Sequence, residues 1–263
     1  MLSKLRSVRD YFDSDAGRYG DQRYPDEPRT CEQLSYLVRR RYVLGMLENS
    51  GVPPGLVLDL GCGPGVYSNE LLDRGWRVRG VDLSPEMLKV AAQRVAGRTG
   101  VGFSVGQTTR LPFADATFDA VLCIGVFAYV ESEEKTIQEI VRVLKPNGCA
   151  VLQIANAFAP IRAEHRLRFE LGRRLRSRPP DEEDRFREQV RLAWQQPPAF
   201  RALCASAGLI PQEGRFYDFR APGLARVWPG AGVAVGRAFE HVGDRTWAGW
   251  WGAGFLSRYV KKA

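Results

Sequence analysis

The chain has 263 residues, of which 44% are apolar and 26% are charged, proportions typical of a soluble globular protein with one sizeable domain. This composition excludes a disordered tail, a collagen and a disulfide-rich miniprotein. No stretch approaches the roughly 20 consecutive apolar residues of a membrane-spanning helix. Because the first residues lack the apolar core of a signal peptide, we expect a cytosolic protein.

The net charge is +8, from 38 basic and 30 acidic residues, and most of the basic residues are arginines. Such a balance is compatible with a nucleic acid, an anionic membrane surface or an anionic substrate as partner, and equally with an arginine-rich genome. The five cysteines show no CxxC spacing, and the chain has two histidines. This pattern favours buried thiols over a zinc site or a disulfide framework. The cysteines are Cys31, Cys62, Cys123, Cys149 and Cys204.

The first 50 residues are predicted to form an N-terminal helical cap. Residues 1–30 are polar with scattered aromatic side chains. A helix is expected over 30–49, because apolar residues recur there at helical spacing before a stop at Gly51-Val-Pro-Pro.

Strands and helices alternate after this cap. Strands are predicted at 56–60, 76–81, 101–105, 118–124 and 149–154, and helices at 66–75, 85–95 and 134–144. Ser84 suits the N-cap of the second of these helices, with Pro85 in its first turn. A helix at 198–207 and strands at 214–219 and 254–260 complete the pattern. Residues 51–263 are therefore predicted to form an α/β, doubly wound, Rossmann-like domain. It has a seven-stranded, mostly parallel sheet, helices on both faces and an inserted helical lid at about 157–197.

A glycine-rich turn follows the first strand, in the segment Val57-Leu-Asp-Leu-Gly-Cys-Gly-Pro-Gly65. Glycines at alternate positions let the backbone adopt positive φ and pass close to a ligand. In such sheets, ligands bind at the carboxyl ends of the strands. The G-x-G-x-G spacing differs from the G-x-G-x-x-G of dinucleotide folds. Asp82 ends the second strand, at the position where a carboxylate accepts hydrogen bonds from ribose hydroxyls; helix capping is the alternative, although Ser84 is better placed for it.

Four motifs in this order resemble the class I S-adenosylmethionine-dependent methyltransferases. The resemblance is strongest to the small-molecule branch typified by the ubiquinone and menaquinone biosynthesis methyltransferases. The motifs are Tyr11-Phe12 with Ala16 and Tyr19, the glycine turn, Gly106-Gln-Thr-Thr-Arg-Leu-Pro-Phe113 with Asp115-Ala-Thr-Phe-Asp119, and Leu144-Lys-Pro-Asn-Gly148. They cover about residues 10–155 and imply S-adenosyl-L-methionine as the cofactor; beyond residue 157 the likeness is weak.

The resemblance also implies a set of cofactor contacts. The methionine portion would be held by Asp59, Gly61, Cys62, Gly63 and Gly65, the ribose by Asp82, and the adenine by Leu83, Met87, Gln107 and Thr108. Cys123 and Ile124 would line the cofactor after the fourth strand, and Tyr11 and Tyr19 would close over it or else only pack the cap. Gln107 stands where the family often has an aspartate, so we expect altered affinity rather than lost binding; a degenerate pocket is the alternative.

Methyl transfer from a sulfonium is an in-line displacement, for which alignment and exclusion of water matter most. A hydroxyl acceptor also needs a general base, and histidine is the usual choice. His165, in the lid, is preferred over His241, with a solvated histidine on an arginine-rich helix as its alternative. Tyr129 is a second candidate, because it stands where relatives commonly carry a histidine.

The lid indicates the kind of acceptor. Residues 157–178 carry seven arginines and two glutamates, with leucines at 167, 171 and 175, a pattern that suits a basic amphipathic helix on an anionic bilayer. Four tryptophans, Trp228, Trp247, Trp250 and Trp251, follow late in the chain and suit a membrane boundary. We expect a small, lipophilic or natural-product acceptor, methylated at a hydroxyl oxygen, and a peripheral contact with the inner face of a membrane. The alternative is a solvated helix over a soluble pocket, with the tryptophans in a core.

Other functions fit the same motifs. A C- or N-methyltransferase acting on a similar small molecule is one, and a non-catalytic scaffold that binds S-adenosylmethionine is another. A nucleic-acid substrate is disfavoured, because the chain has no RNA-binding module and lacks the Asn/Asp-Pro-Pro-Tyr motif used on base nitrogens.

Overall fold

Two N-terminal helices lead into an alternation of strands and helices in the computed structural model, which describes residues 2–25, 27–175, 186, 194–220, 223–240 and 249–263. The helices are α1 (Leu2–Arg23), α2 (Cys31–Glu48), α3 (Val66–Asp73), α4 (Pro85–Arg94), α5 (Glu133–Val143), α6 (Pro160–Leu175), α7 (Pro197–Ser206), α8 (Leu224–Val227) and α9 (Pro229–Glu240). The strands are β1 (Leu56–Leu60), β2 (Arg77–Asp82), β3 (Val101–Val105), β4 (Phe118–Cys123), β5 (Leu144–Ala155), β6 (Leu209–Phe219) and β7 (Gly252–Lys261).

The seven strands form one sheet in the order β3-β2-β1-β4-β5-β7-β6. Neighbours among β1 to β5 run parallel, whereas β7 is antiparallel to both β5 and β6. The order reverses between β1 and β4, which is where an open α/β sheet leaves a ligand crevice at the carboxyl ends of its strands. The predicted doubly wound, mostly parallel, seven-stranded sheet is confirmed.

The sheet is covered on both faces because its central strands are apolar on both sides. Leu58 packs with α5 residues such as Ile140 in one cluster. Its neighbour Val57 points the other way, into a cluster with Val43 of α2 and Leu71 of α3. All five cysteines are free and buried, which confirms the prediction of buried thiols.

Local capping signals set the starts of the helices that flank the crevice. The Oγ of Ser84 accepts a hydrogen bond from the backbone N–H of Met87 at 3.0 Å, and Pro85 is in the first turn of α4. The predicted N-cap of this helix is therefore confirmed. Thr30 caps α2 in the same way, accepting from the N–H of Gln33.

The predicted strand bounds differ most from the structure at β5 and β6. Each begins five residues before its predicted start, β5 at Leu144 and β6 at Leu209, and β6 has a bulge between Pro211 and Glu213. It is an edge strand, where a proline is tolerated. The cap also contains α1, a helix over a segment for which only polar and aromatic composition was noted. Of the predicted lid, α6 is described, whereas residues 176–185 and 187–193 lie outside the described residues.

Candidate active site

A cleft of about 970 Å³, its open mouth included, lies at the carboxyl ends of β1, β2 and β4. Its glycine-rich side comes from the turns after β1, β2 and β3, at residues 60–64, 81–84 and 106–108. Its tyrosine-rich side comes from α1, the segment after α1, α2 and the segment after β4. This side includes Tyr19, Tyr24, Arg39 and Tyr129.

The turn after β1 depends on its glycines. Gly61, Gly63 and Gly65 have φ angles of 71°, 51° and 73°. Residues other than glycine rarely adopt this conformation, because their Cβ clashes with the backbone. A Cβ at Gly61 would also collide with the side chain of Val126, whereas nothing lies within 4 Å of the Cβ position at Gly63. The N–H of Gly61 donates to the carbonyl of Val81 at 2.7 Å, which ties this turn to the end of β2.

Asp82 faces the cleft from the end of β2. One carboxylate oxygen accepts from the N–H of Gly63 at 2.8 Å, and the other accepts from the N–H of Ser84 at 2.9 Å. Burial raises the pKa of Asp82, against the opposing effect of these backbone hydrogen bonds. A carboxylate held by two backbone donors keeps lone pairs for a ligand.

Beyond Asp82, the glycine-rich side combines an apolar surface with two polar side chains. Leu83, Met87, Gln107 and Thr108 all line the cleft. The N–H of Gly106 donates to the carbonyl of Asp82 at 2.9 Å, which brings the turn after β3 against the end of β2. The predicted cofactor residues on the cleft wall are Tyr19, Gly61, Cys62, Gly63, Asp82, Leu83, Met87, Gln107, Thr108 and Ile124.

Three predicted cofactor residues lie behind this wall. Asp59 is 2% exposed, and its Oδ2 accepts from the hydroxyl of Ser68 at 2.7 Å; burial raises its pKa to about 6. A Cβ at Gly65 would lie 2.9 Å from that of Ala91, so this glycine lets α3 approach α4. Cys123 is fully buried in the core. None of the three is among the residues that line the cleft, and their contacts with the cofactor stay predictions.

The predicted aromatic residues differ in their surroundings. Tyr19 and Tyr129 line the cleft, whereas Tyr11 stacks on Phe186 of the predicted lid with ring centroids 3.8 Å apart; its closure over the cofactor stays a prediction. Burial raises the pKa of the Tyr129 phenol, which favours its protonated form; its role as a general base stays a prediction.

The histidines predicted as bases are described only in part. The backbone of His165 belongs to α6, whereas its side chain is outside the described part of the structure. His241 and Trp247 lie outside the described residues altogether.

Arg39 on α2 is a cleft residue that the sequence analysis missed. Its Nη2 donates to the hydroxyl of Tyr24 at 2.8 Å, and the guanidinium carbon lies 4.5 Å from the centroid of the Tyr36 ring. Its Nε is buried without a hydrogen-bond partner among the described residues. Burial opposes its charge, but nearby tyrosines, with Tyr24 first among them, raise its pKa well above the usual value. The tyrosine-rich side thus carries a cation.

A second missed residue, Gln153 on β5, holds the segment after β4. Its Oε1 accepts from the N–H of Gly125 at 2.7 Å, and its Nε2 donates to the carbonyl of Ile154 at 2.7 Å. Because the glutamine is 7% exposed, these bonds are shielded from water and fix the backbone next to Ile124.

An exposed aromatic edge lies near the start of α6. Phe158, Trp250 and Trp251 are 42%, 46% and 57% exposed, and the rings of Phe158 and Trp250 lie 5.0 Å apart. Leu167 and Leu171 of α6 are also exposed, as is Trp228. The predicted alternative of a tryptophan core does not apply to the three described tryptophans of the late region. Among the described residues, no helix has the length and apolar character needed to span a bilayer.

Residues 58–152 match the family described as a methyltransferase domain. The chain is 36% identical over 154 residues to the ubiquinone/menaquinone biosynthesis C-methyltransferase UbiE of Desulfotalea psychrophila, a match covering 57% of this chain and 59% of that one. It is 38% identical over 104 residues to norajmaline N-methyltransferase of Rauvolfia serpentina, covering 38% of this chain and 35% of that one. These matches therefore span only part of either relative.

A solved structure shares the fold across the whole chain. Magnesium protoporphyrin IX methyltransferase from Synechocystis, solved with bound S-adenosylhomocysteine, superposes with a TM-score of 0.67 at 17% identity, covering 98% of this chain and 100% of that one. Together these findings confirm the predicted resemblance to the class I S-adenosylmethionine-dependent methyltransferases and to the ubiquinone and menaquinone branch.

Proposed function

We propose that this chain, which contains a class I S-adenosylmethionine-dependent methyltransferase domain, transfers the methyl group of that cofactor to a small acceptor. The observation that carries the proposal is the position of Asp82. Two backbone N–H groups hold its carboxylate next to a turn with three positive-φ glycines. Residues 1–50 would act as the cap of the cleft, and about 157–197 as its lid.

The residues of the cleft fit S-adenosylmethionine at each of its polar ends. Asp82 would accept from the ribose hydroxyls, and Leu83 and Met87 would contact the adenine beside Gln107 and Thr108. Gly61, Cys62 and Gly63 would pass under the methionine portion. The buried, unpartnered Nε of Arg39 would donate to the α-carboxylate, since a guanidinium binds a carboxylate through charge-assisted hydrogen bonds.

The chain's contribution to the reaction is mainly positioning. Bound S-adenosylmethionine supplies an electrophilic methyl group on a sulfonium. Gln153 fixes the backbone beside Ile124, so this segment would align the acceptor with the methyl group. Tyr19 and Tyr129, with the cap, would exclude water from the reacting atoms. Because burial raises the pKa of Tyr129, its hydroxyl would donate a hydrogen bond to the acceptor rather than take a proton.

A hydroxyl oxygen is our preferred acceptor atom, with His165 as the base. His165 belongs to α6, the described helix of the proposed lid. A carbon or nitrogen acceptor is the alternative. The matched relatives are named as a C-methyltransferase and an N-methyltransferase.

Calorimetric titration of S-adenosylmethionine tests the proposal. We expect binding to the wild-type chain and a loss of about 30-fold or more in Asp82→Ala, because the ribose loses a charged hydrogen-bond partner. Asp73→Ala is the matched control, since Asp73 is an aspartate of the same domain that pairs with Arg98 at the surface. If neither the cofactor nor S-adenosylhomocysteine binds to the wild type, the proposal fails.

A lipophilic acceptor delivered from a membrane surface is the finer proposal. The exposed aromatic edge of Phe158, Trp250 and Trp251 lies beside the arginine-rich α6, and apolar rings with cations are the combination that binds an anionic interface. We expect co-sedimentation with phosphatidylglycerol vesicles at low salt, reduced in a Trp250→Ser/Trp251→Ser double variant. Equal sedimentation with pure phosphatidylcholine vesicles, or none with either, would contradict the contact.

A further inference from the structure

Two arginines near the tyrosine-rich side have buried Nε atoms without a hydrogen-bond partner among the described residues. They are Arg39 on α2 and Arg162 on α6. Burying an unpaired cation is costly, so such groups are paired in a functional state or bind an anion. S-adenosylmethionine carries one carboxylate, and Arg39, which lines the cleft with its guanidinium next to Gly125, is placed to take it. The buried Nε of Arg162 is the donor that a second anion would take.

Arg162 is held in place by neutral groups. Its Nη2 donates to the carbonyl of Ala253 at 2.9 Å, and its guanidinium carbon lies 5.4 Å from the centroid of the Trp194 ring. These contacts fix the orientation of the guanidinium and leave Nε free to donate. The side chain is thus preorganised, and its Nε–H remains available as a donor. This arrangement favours anion binding.

Asp218, the carboxylate with an electrostatic effect on Arg162, is already paired with another arginine. Asp218 raises the pKa of Arg162 but does not outweigh the lowering by burial. Both carboxylate oxygens of Asp218 accept from Arg220, at 2.6 Å and 3.0 Å. Glu164, two residues along α6, accepts from the N–H of Gly223. Within the described chain, the charge of Arg162 is therefore left without a carboxylate of its own.

The surroundings of Arg162 connect it to the cleft. Its Nη2 donates to the carbonyl of Ala253, and the next residue, Gly254, pairs with Tyr217 of β6 and lies against its ring. Tyr217 also interacts with Arg39 of the cleft wall, so this tyrosine lies near both cations. Aromatic rings from Tyr129 and Trp194 would flank a molecule that reaches from the methyl group towards Arg162.

We propose that the methyl acceptor carries an oxyanion, a carboxylate or a phosphate, on an apolar or aromatic body, and that Arg162 binds this oxyanion. The inference rests on the proposed function, because it assigns the carboxylate of the cofactor to Arg39. It adds the chemical class of the acceptor and a residue that selects it.

Binding of paired probes to the chain saturated with S-adenosylhomocysteine tests the proposal. The probes are naphthoate against neutral naphthamide, and farnesyl phosphate against neutral farnesol, each titrated calorimetrically. We expect the anionic member of at least one pair to bind about tenfold more tightly than its neutral partner, as a charge-assisted hydrogen bond gives. The pair that shows the preference distinguishes a carboxylate from a phosphate.

Two variants assign the preference to Arg162. Arg162→Gln should abolish the tenfold preference, and Arg162→Lys should keep part of it. Arg166→Gln is the matched control, because Arg166 is exposed on the same helix, 5.5 Å from the same Trp194 ring, and it should keep the full preference. Unchanged affinity of all three variants for S-adenosylhomocysteine shows that the fold and the cofactor site are intact.

The outcomes separate the two proposals. If S-adenosylhomocysteine does not bind to the wild type, the proposed function fails first. If it binds, the oxyanion proposal is overturned by equal binding within both pairs, by no binding of any probe, or by a preference that survives in Arg162→Gln.

Discussion

The glycine-rich side of the cleft comes from three consecutive strand ends, whereas the tyrosine-rich side is gathered from α1, α2 and the segment after β4, with Tyr217 of β6 behind it. On the first side, the wall is built from backbone N–H groups and a carboxylate, as in the hydrogen bonds that Asp82 accepts from Gly63 and Ser84. On the second side, the wall is built from side chains, as in the hydrogen bond from Arg39 to a tyrosine hydroxyl. One side is fixed by the sheet, and the other can change its chemistry with single substitutions.

If the glycine-rich side is fixed by backbone geometry, Gly61→Ala should have the largest effect on stability. The added Cβ would collide with Val126 in addition to the strain of a positive φ, and we expect a loss of about 3 kcal/mol in the free energy of unfolding. Urea denaturation measures it.

Gly63→Ala is the matched control for this prediction. Gly63 has a φ of 51°, but nothing lies within 4 Å of its Cβ position, so only the strain of about 1 kcal/mol applies. Because the Cβ would instead occupy open cleft, this variant should lose more affinity for S-adenosylmethionine than it loses stability. Equal destabilisation by the two variants would contradict the account of the turn.

The second prediction concerns the tyrosine-rich side. Arg39→Gln should weaken S-adenosylmethionine binding by about 30-fold, since a buried charged pair with the α-carboxylate gives roughly 2 kcal/mol. Calorimetry measures the loss. Arg40→Gln serves as the control, because the next arginine on α2 pairs with Glu70 at 3.5 Å. A loss of the same size in both variants would mean that the general positive charge of α2, and not Arg39, binds the cofactor.

The sequence alone predicts the glycine-rich side well, because its signals are local. β1 and β3 have the predicted bounds, Leu56–Leu60 and Val101–Val105, since each is a short run next to glycine. The cap of α4 at Ser84 follows from residue type and spacing. The sequence did not reveal that Gly65 lets α3 approach α4 at Ala91, because glycines required by a ligand and by a neighbouring helix look identical in sequence.

The tyrosine-rich side was predicted poorly, because its groups come together only in the folded chain. Arg39, Arg40 and Arg41 are adjacent, and their types do not tell which faces the cleft; the buried positions Ser35 and Val43, four residues to either side, are the signal that singles out Arg39. In α1, the buried Val8 and Ala16 show a helical spacing that could have revealed this helix.

A buried carboxyl outside the cleft provides the last and smallest contrast. The Glu240 side chain accepts from the N–H of Asp218 at 3.2 Å and from the hydroxyl of Tyr42 at 3.3 Å, and burial raises its pKa from 4.5 to about 7. An acid with a raised pKa in the folded state favours folding while protonated. Its contribution is therefore full below about pH 4.5 and is lost as the pH rises through about 7.

Glu240→Gln keeps an acceptor oxygen but removes the titration. As the pH rises through this range, the wild type should lose roughly 1 to 2 kcal/mol of unfolding free energy relative to the variant. Urea denaturation at a series of pH values measures it, and comparison with the wild type cancels other carboxyls such as Asp59. Glu134→Gln, at an exposed position of α5, should show no such change. A difference that stays constant with pH would mean that folding does not raise the pKa of Glu240. S-adenosylmethionine should leave the Glu240 effect unaltered, because this carboxyl is not among the residues that line the cleft.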